Sequence, residues 1–284
     1  MRKRLDHRGC QLAYEVQGQG PPVLLIQGVG VHGDGWRPQV EALSDRYTCL
    51  SFDNRGMGES QPAGAPVTVE QMAEDAVALL DAAGWDSAHV VGHSLGGLVA
   101  LELALAARQR VRSLALLCTF ASGRDAAPPT PRMIWIGLRT RVGTRRMRRR
   151  AFLQLVMSPG SIAEGDADGR AERLAPLFGH DLADQPPIVG KQLAAMRAYS
   201  ATPRLGELAG LPCLVVNAVH DPIAPPRAGR VLAGIPGSRY VELADASHGV
   251  PIQYPDRINT LLLDHLAAIS SLSEPTGAER PPSR

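Results

Sequence analysis

The chain has 284 residues, a length that suits one α/β domain carrying an insertion and is short for two large ones. A hydrophobic fraction of 44 % against 20 % charged residues excludes wholesale disorder, and 30 Lys+Arg against 28 Asp+Glu exclude a polyanion-binding protein as a whole. With aromatics at only 4 %, the core has to be built from aliphatic side chains and alanine.

The basic N-terminus, MRKRLDHRGC, is not followed by an apolar stretch, so it does not read as a secretory signal. Leu12–Val16 is a rather polar strand, closed by turns at Gly18 and Gly20-Pro21-Pro22. Val23–Ile26, Thr48–Phe52, His89–Val91, Leu114–Thr119, Leu214–Val216 and Arg239–Leu243 follow as further strands. Several of these are unbroken apolar runs, as expected where helices cover both sheet faces. Helical patterns lie between them. Thr68 and Gln71 have capping-box spacing, Val69, Met72, Ala76, Leu79 and Leu80 follow at helical intervals, and Gly84 ends the run. Ser94–Ala107 puts Leu98, Leu101 and Leu105 on one face, Pro225-Pro226 opens a helix that Gly234 closes, and a last helix spans about Pro255 to Ile269. The alternation predicts an α/β fold with a doubly wound, mostly parallel sheet.

That rhythm stops between Ser122 and Ala201, where short helical stretches are broken by Pro128-Pro129, Pro159-Gly160, Gly165 and Pro186-Pro187. We expect a helical cap at 122–201 over the C-terminal strand ends, a core from 1–121 and 202–270, and a disordered polar tail at 271–284. No apolar stretch approaches the ~18 residues of a membrane helix, so no membrane span is expected. Cys10, Cys49, Cys118 and Cys213 form no C-x-x-C, and three sit in apolar runs. They read as buried free thiols in a reducing compartment, which makes a cytoplasmic location the default.

The strongest chemical signal is Gly92-His93-Ser94-Leu95-Gly96, a G-x-S-x-G between a strand and a helix. That context is what a nucleophile elbow requires: the serine sits on a sharp turn, and the flanking glycines let strand and helix approach closely. A serine hydroxyl needs a base, and the base an orienting acid. Asp221 follows Leu214–Val216 in N-A-V-H-D-P-I-A-P, and His248 follows the strand ending near Leu243 in A-S-H-G. Both fall in loops at the sheet edge where Ser94 lies.

These residues, with Gln27-Gly28-Val29-Gly30 and Asp53-Asn-Arg-Gly-Met-Gly-Glu-Ser60, make the chain resemble an α/β-hydrolase-fold serine hydrolase of the esterase/lactonase type over nearly its whole length outside the insertion. The resemblance implies Ser94 as nucleophile, His248 as base, Asp221 as its orienter, and an oxyanion hole from the backbone N–H groups of Val29 and Leu95. It implies a small-molecule substrate and no cofactor or metal. Two positions depart from the commoner pattern: Gln27 stands where many members have histidine, and Ala218 where many have glycine. Enol-lactone hydrolysis, carbon–carbon bond hydrolysis and cofactor-free haloperoxidase-like chemistry share the triad, and a non-catalytic small-molecule receptor is a further alternative. Epoxide hydrolases and dehalogenases usually place an aspartate where Ser94 stands.

Other patterns compete for attention. Gly28-Val-Gly30-Val-His-Gly33, with Asp53 twenty residues on, outlines a dinucleotide-binding fingerprint, but Gly33-Asp34-Gly35 continues the loop where that motif needs a helix. His89 and His93 straddle a strand-to-turn junction, which does not put them on one face for a metal. His220 reads as a loop residue, His32 as lining the entrance or facing solvent, and His7, His180 and His265 as surface residues. Arg139, Arg141, Arg145, Arg146, Arg148, Arg149 and Arg150 read as a solvated helix face, with attraction of an anionic substrate or a membrane surface as the functional alternative. Nucleic-acid binding lacks the aromatic interleaving it would need. The cap holds Met133, Ile134, Ile136, Leu138, Phe152, Leu153, Leu155, Val156, Met157, Leu177, Phe178, Leu193 and Met196, more apolar residues than an exposed insertion needs. We therefore expect an apolar cavity between cap and strand ends, reached past Val29 and His32.

Overall fold

The computed structural model describes residues 1–128, 130–158, 160 and 167–273. Its strands are β1 (Lys3–His7), β2 (Cys10–Gly18), β3 (Pro22–Ile26), β4 (Thr48–Phe52), β5 (Ala88–His93), β6 (Val111–Leu117), β7 (Cys213–Ala218) and β8 (Arg239–Leu243). They form one sheet in the order β1-β2-β4-β3-β5-β6-β7-β8. β2 pairs antiparallel with β1 and with β4, and every later pairing is parallel. The strand order reverses between β3 and β5, and ligands of open α/β sheets bind at such a switch, beyond the carboxyl ends of the strands.

The parallel strands are apolar on both sides because each side is covered. Leu24 and Ile26 of β3 point into one core with helices α2 (Val69–Ala82) and α3 (Leu95–Ala106), while Val23 and Leu25 point into the other with α1 (Arg37–Leu43) and the C-terminal helix. Thr68 caps α2 by accepting from Gln71 N–H at 3.1 Å. Gln71 does not return the bond; its side chain accepts from Arg8 and donates to Asp75. α3 is apolar nearly all round and almost wholly buried, so it is the central helix of its layer.

β1 was not expected. Lys3–His7 is an exposed edge strand of mixed polarity with no clean alternation, and it forms through a two-residue turn at Arg8-Gly9, both at positive φ. β6 ends at Leu117 rather than Thr119, because Thr119 leaves the ladder to donate its hydroxyl to the Ser94 carbonyl at 2.7 Å. The C-terminal helix runs to Ser273, so the tail expected from 271 begins no earlier than 274, and 274–284 lie outside the described residues.

Between β6 and β7 the chain forms α4 (Pro131–Arg139), α5 (Arg145–Val156), α6 (Ala167–Phe178) and α7 (Val189–Ala198), with no strand of the sheet among the described residues. Of the breaks expected there, Pro129, Pro159 and Gly165 fall outside the described residues. A lone bridge between Ser122 and Ser200 draws the two ends of the segment together. The arginine run ties its parts to one another: Arg149 pairs with Asp181 and Glu172, Arg145 with Asp181 and Asp184, and Arg146 with Asp168. After β7 come α8 (Pro226–Leu232), α9 (Val250–Gln253) and α10 (Pro255–Ser273). Among the described residues no helix is long and apolar enough to cross a membrane, and all four cysteines are buried and free.

Candidate active site

Ser94 stands between β5 and α3 with φ 54° and ψ −119°, a conformation that a non-glycine residue adopts only when its surroundings force it. The force is visible. Ser94 N–H donates to Leu117 O at 3.0 Å, and Ser94 O accepts from Gly97 N–H and Thr119 Oγ1. A Cβ on Gly96 would lie 2.1 Å from Ile26 O, and one on Gly92 would lie 2.3 Å from Gly96 O. Strand and helix are thus packed backbone to backbone, and the turn presents the Ser94 side chain at the sheet's carboxyl edge.

His248, in the loop between β8 and α9, places Nε2 3.0 Å from Ser94 Oγ and Nδ1 2.7 Å from Asp221 Oδ2. Asp221, in the loop after β7, accepts from Ile223 N–H at 2.7 Å and Ala224 N–H at 2.8 Å through its other oxygen. Three contacts, two on one oxygen and one on the other, hold the carboxylate in place. Two other acids that follow strands lie elsewhere: Asp245 pairs with Arg257 at the surface, and Asp125 closes the turn at Ser122.

The loop after β3 comes against the same serine. A Cβ on Gly28 would sit 3.1 Å from Ser94 Cβ. Gln27, the departure from the commoner histidine, organises this loop: its Oε1 accepts from Gly28 N–H and its carbonyl accepts from Asn54 Nδ2 at 2.9 Å. Val29 N–H and Leu95 N–H have no hydrogen-bond partner among the described residues. Two free donors flanking Ser94 are what a developing oxyanion needs.

The fingerprint-like glycines are spent within the protein. Asp53 Oδ1 accepts from Gly33 N–H at 2.8 Å, its Oδ2 accepts from Glu59 N–H and Arg2, and Gly33 packs on the β4 backbone. His89 bonds Ser113, and burial lowers its pKa to about 4. His93 donates Nε2–H to His248 O at 2.8 Å, and burial, then the nearby His248, lowers it to about 3, so it is a neutral brace under the His248 loop. No group of three or more potential metal ligands occurs among the described residues. His220 lies in the loop as expected, whereas His32 is not at the entrance: Gly179 and His180 pack over its ring. Cys118, buried beside Asp221 at φ 44°, was not singled out; burial and then the carboxylate raise its thiol well above the ordinary range, leaving it inert.

A cavity of about 540 Å³ opens above Ser94, His248 and Val29. Its walls are mainly apolar and come from the 122–201 segment through Phe152, Leu155, Val156, Phe178, Leu193 and Met196, and from the core through Val31, Ile223 and Ile252. Met133, Ile136 and Met157 instead line a separate surface hollow, and Leu153 is packed in the core of the segment. Of the arginine run, Arg141 alone lines this cavity; exposed Ile134, Leu138 and Arg141 mark its rim.

Residues 21–255 match the family model described as alpha/beta hydrolase fold. A protein of Azorhizobium caulinodans with the provisional name carbamate hydrolase RutD is 34 % identical over 260 residues, covering 89 % of this chain and 94 % of its own. The crystal structure of an enol-lactonase from Burkholderia xenovorans aligns with a TM-score of 0.78 at 27 % identity, covering 93 % of this chain and all of that one. That of BpoC from Mycobacterium tuberculosis, provisionally a non-heme bromoperoxidase, gives 0.78 at 29 % identity, with 91 % and 96 % coverage.

Proposed function

The chain belongs to the alpha/beta hydrolase fold family, and from that premise we propose that it is a serine hydrolase cleaving a carboxylic ester or lactone with an apolar acyl part through an acyl-enzyme. Ser94 Oγ attacks the carbonyl carbon while His248 Nε2 takes its proton. Asp221 holds His248 Nδ1–H, fixes the tautomer that leaves Nε2 free to accept, and stabilises the imidazolium. The tetrahedral oxyanion accepts from Val29 N–H and Leu95 N–H. The imidazolium then protonates the leaving alkoxide. Water, deprotonated by His248, attacks the acyl group, and Ser94 is released with its proton restored. The sequence requires no cofactor for this chemistry.

The observation that carries this reading is the unbroken hydrogen-bonded line Ser94–His248–Asp221 at the floor of an apolar cavity. A cavity walled by Phe152, Leu155 and Phe178 favours neutral acyl chains over small dianions, and the arginines that could have welcomed a dianion are mostly engaged with acids of the same segment. Enol-lactone, carbon–carbon and haloperoxidase-like chemistry remain the alternatives that use the same three side chains. We also take 122–201 as a cap on a core of 1–121 and 202–270, and the four free thiols as fitting a cytoplasmic enzyme.

The test is a panel of p-nitrophenyl esters from acetate to octanoate, run beside an enol-lactone, a vinylogous diketone and a carbamate. Butyrate to octanoate should exceed acetate in kcat/KM, by at most about 1–3 kcal/mol per well-seated methylene. Ser94→Ala should lose on the order of a millionfold in kcat. A strong, salt-sensitive preference for an acidic lactone would overturn the neutral-ester reading, and a Ser94→Ala variant that keeps its activity would overturn the mechanism.

A further inference from the structure

The oxyanion loop is held by the insertion as well as by the core. Gly30 N–H donates to Gln192 Oε1 of α7 at 2.9 Å, across 162 positions of sequence. Gly30 O accepts from His180 Nε2, in the loop after α6, at 2.8 Å. Gly30 itself has φ 71°, and a Cβ there would meet Val189 of α7 at 3.1 Å. On the other side of Val29, the Gln27–Gly28 peptide is held at both its groups, by Asn54 and by the Gln27 side chain. The peptides on either side of the Gly28–Val29 peptide are therefore tied down, while the Val29 N–H between them has no hydrogen-bond partner among the described residues.

Gln192 is fully buried, and its Nε2 has no partner among the described residues. A buried amide that leaves its donor unmatched is a poor choice for stability alone. Its carboxamide oxygen, however, is the acceptor that Gly30 N–H meets. His180, half-buried at the other group of the same glycine, completes the grip.

We propose that Gln192 and His180 are positioning residues that clamp Gly30 and so set the direction of the Val29 N–H, making the oxyanion hole a joint product of core and insertion. The proposal rests on the reading of Val29 as an oxyanion donor. Removing the clamp frees the Val29–Gly30 peptide, and the adjoining Gly28–Val29 peptide, which carries the Val29 N–H, then turns with it off the line to the oxyanion. Substrate lodges in the apolar cavity, which Gln192 does not line, so binding should be spared.

The experiment compares Gln192→Met, which keeps the shape and removes the acceptor, with Gln192→Glu, which keeps an acceptor oxygen. A fluorophosphonate inactivates serine hydrolases through the same oxyanion hole, so it reports without knowledge of the natural substrate. Gln192→Met should lower the limiting inactivation rate and ester kcat by about 10–100-fold, the scale of a misdirected donor. The inactivator's binding constant and KM should stay within about threefold of the wild type. Gln192→Glu should recover most of the loss, and amide exchange across 28–31 should speed up in the Met variant only. His180→Phe, which removes the hold on Gly30 O, should show the same split and serves if Gln192→Met does not fold. Wild-type rates in Gln192→Met, or equal losses in the Met and Glu variants, would overturn the clamp while leaving the hydrolase reading intact. A wild-type Ser94 inert to fluorophosphonate and to every ester would overturn both.

Discussion

Asp221→Asn is the perturbation whose outcome the geometry dictates most narrowly. In the native site one carboxylate oxygen takes two backbone donors, Ile223 N–H and Ala224 N–H, and the other takes His248 Nδ1–H. An asparagine has one oxygen and one NH2 to divide between these two places. The oxygen goes to the pair of backbone donors, because the opposite arrangement would set an NH2 against two N–H groups. The NH2 then faces His248 Nδ1, which must accept. That forces the proton onto Nε2, where it points at Ser94 Oγ, and the base is lost while every heavy atom stays in place. The expected loss is about 10⁴ in kcat, or ~5.5 kcal/mol of transition-state stabilisation. The assay is hydrolysis of a p-nitrophenyl ester alongside a melting curve, with fluorophosphonate labelling of Ser94 as a second readout of nucleophilicity. Both rates should fall together and KM should change little. A folded Asp221→Asn enzyme with more than about a tenth of the wild-type kcat would refute the tautomer argument, since no minor misalignment explains the expected loss.

Gly96→Ala forces a Cβ to within 2.1 Å of Ile26 O, backbone against backbone, so the variant should lose about 3 kcal/mol or more of stability in urea unfolding, whereas Gly190→Ala in α7, with open space around it, should gain up to about 1 kcal/mol. Equal behaviour of the two would show that the elbow has slack. His89 and His265 are lowered to about 4 and His93 to about 3, each mainly by burial, from an ordinary 6.5. Between these values the unfolded chain binds more protons, so stability is complete above pH 6.5 and falls on acidification, by roughly 1.4 kcal/mol per pH unit for each histidine. A urea midpoint unchanged between pH 7.5 and pH 5 would contradict their burial as neutral rings. Leu193→Trp should fill part of the cavity and cut octanoate turnover by roughly 10–100-fold in kcat/KM while sparing acetate, and uniform losses on both would place the acyl chain elsewhere.

The elements that declared themselves in the sequence are those whose signals are local. Apolar runs such as Val23–Ile26 state that both sheet faces are covered, and Gly92–Gly96 states a backbone crossing because nothing but glycine fits 2.1–2.3 Å from a carbonyl oxygen. Ser94, Asp221 and His248 were legible because each follows a strand, and parallel strands deliver their following loops to one edge. The order of the strands put them there, but their meeting at 3.0 and 2.7 Å is a property of the folded loops. Edge strand β1 was illegible because a solvated edge strand need not alternate. The arginine run looked like a free basic face, and only the fold brought Asp181, Asp184 and Asp168 against it. The apolar surplus of 122–201 foretold a cavity, yet which of those residues line it depends on helix rotation, and Met133, Ile136 and Met157 turned elsewhere. The hold of Gln192 and His180 on Gly30 was beyond any sequence argument: a single hydrogen bond between residues 162 positions apart leaves no period, spacing or composition to read, and exists only once the insertion has closed over the strand ends.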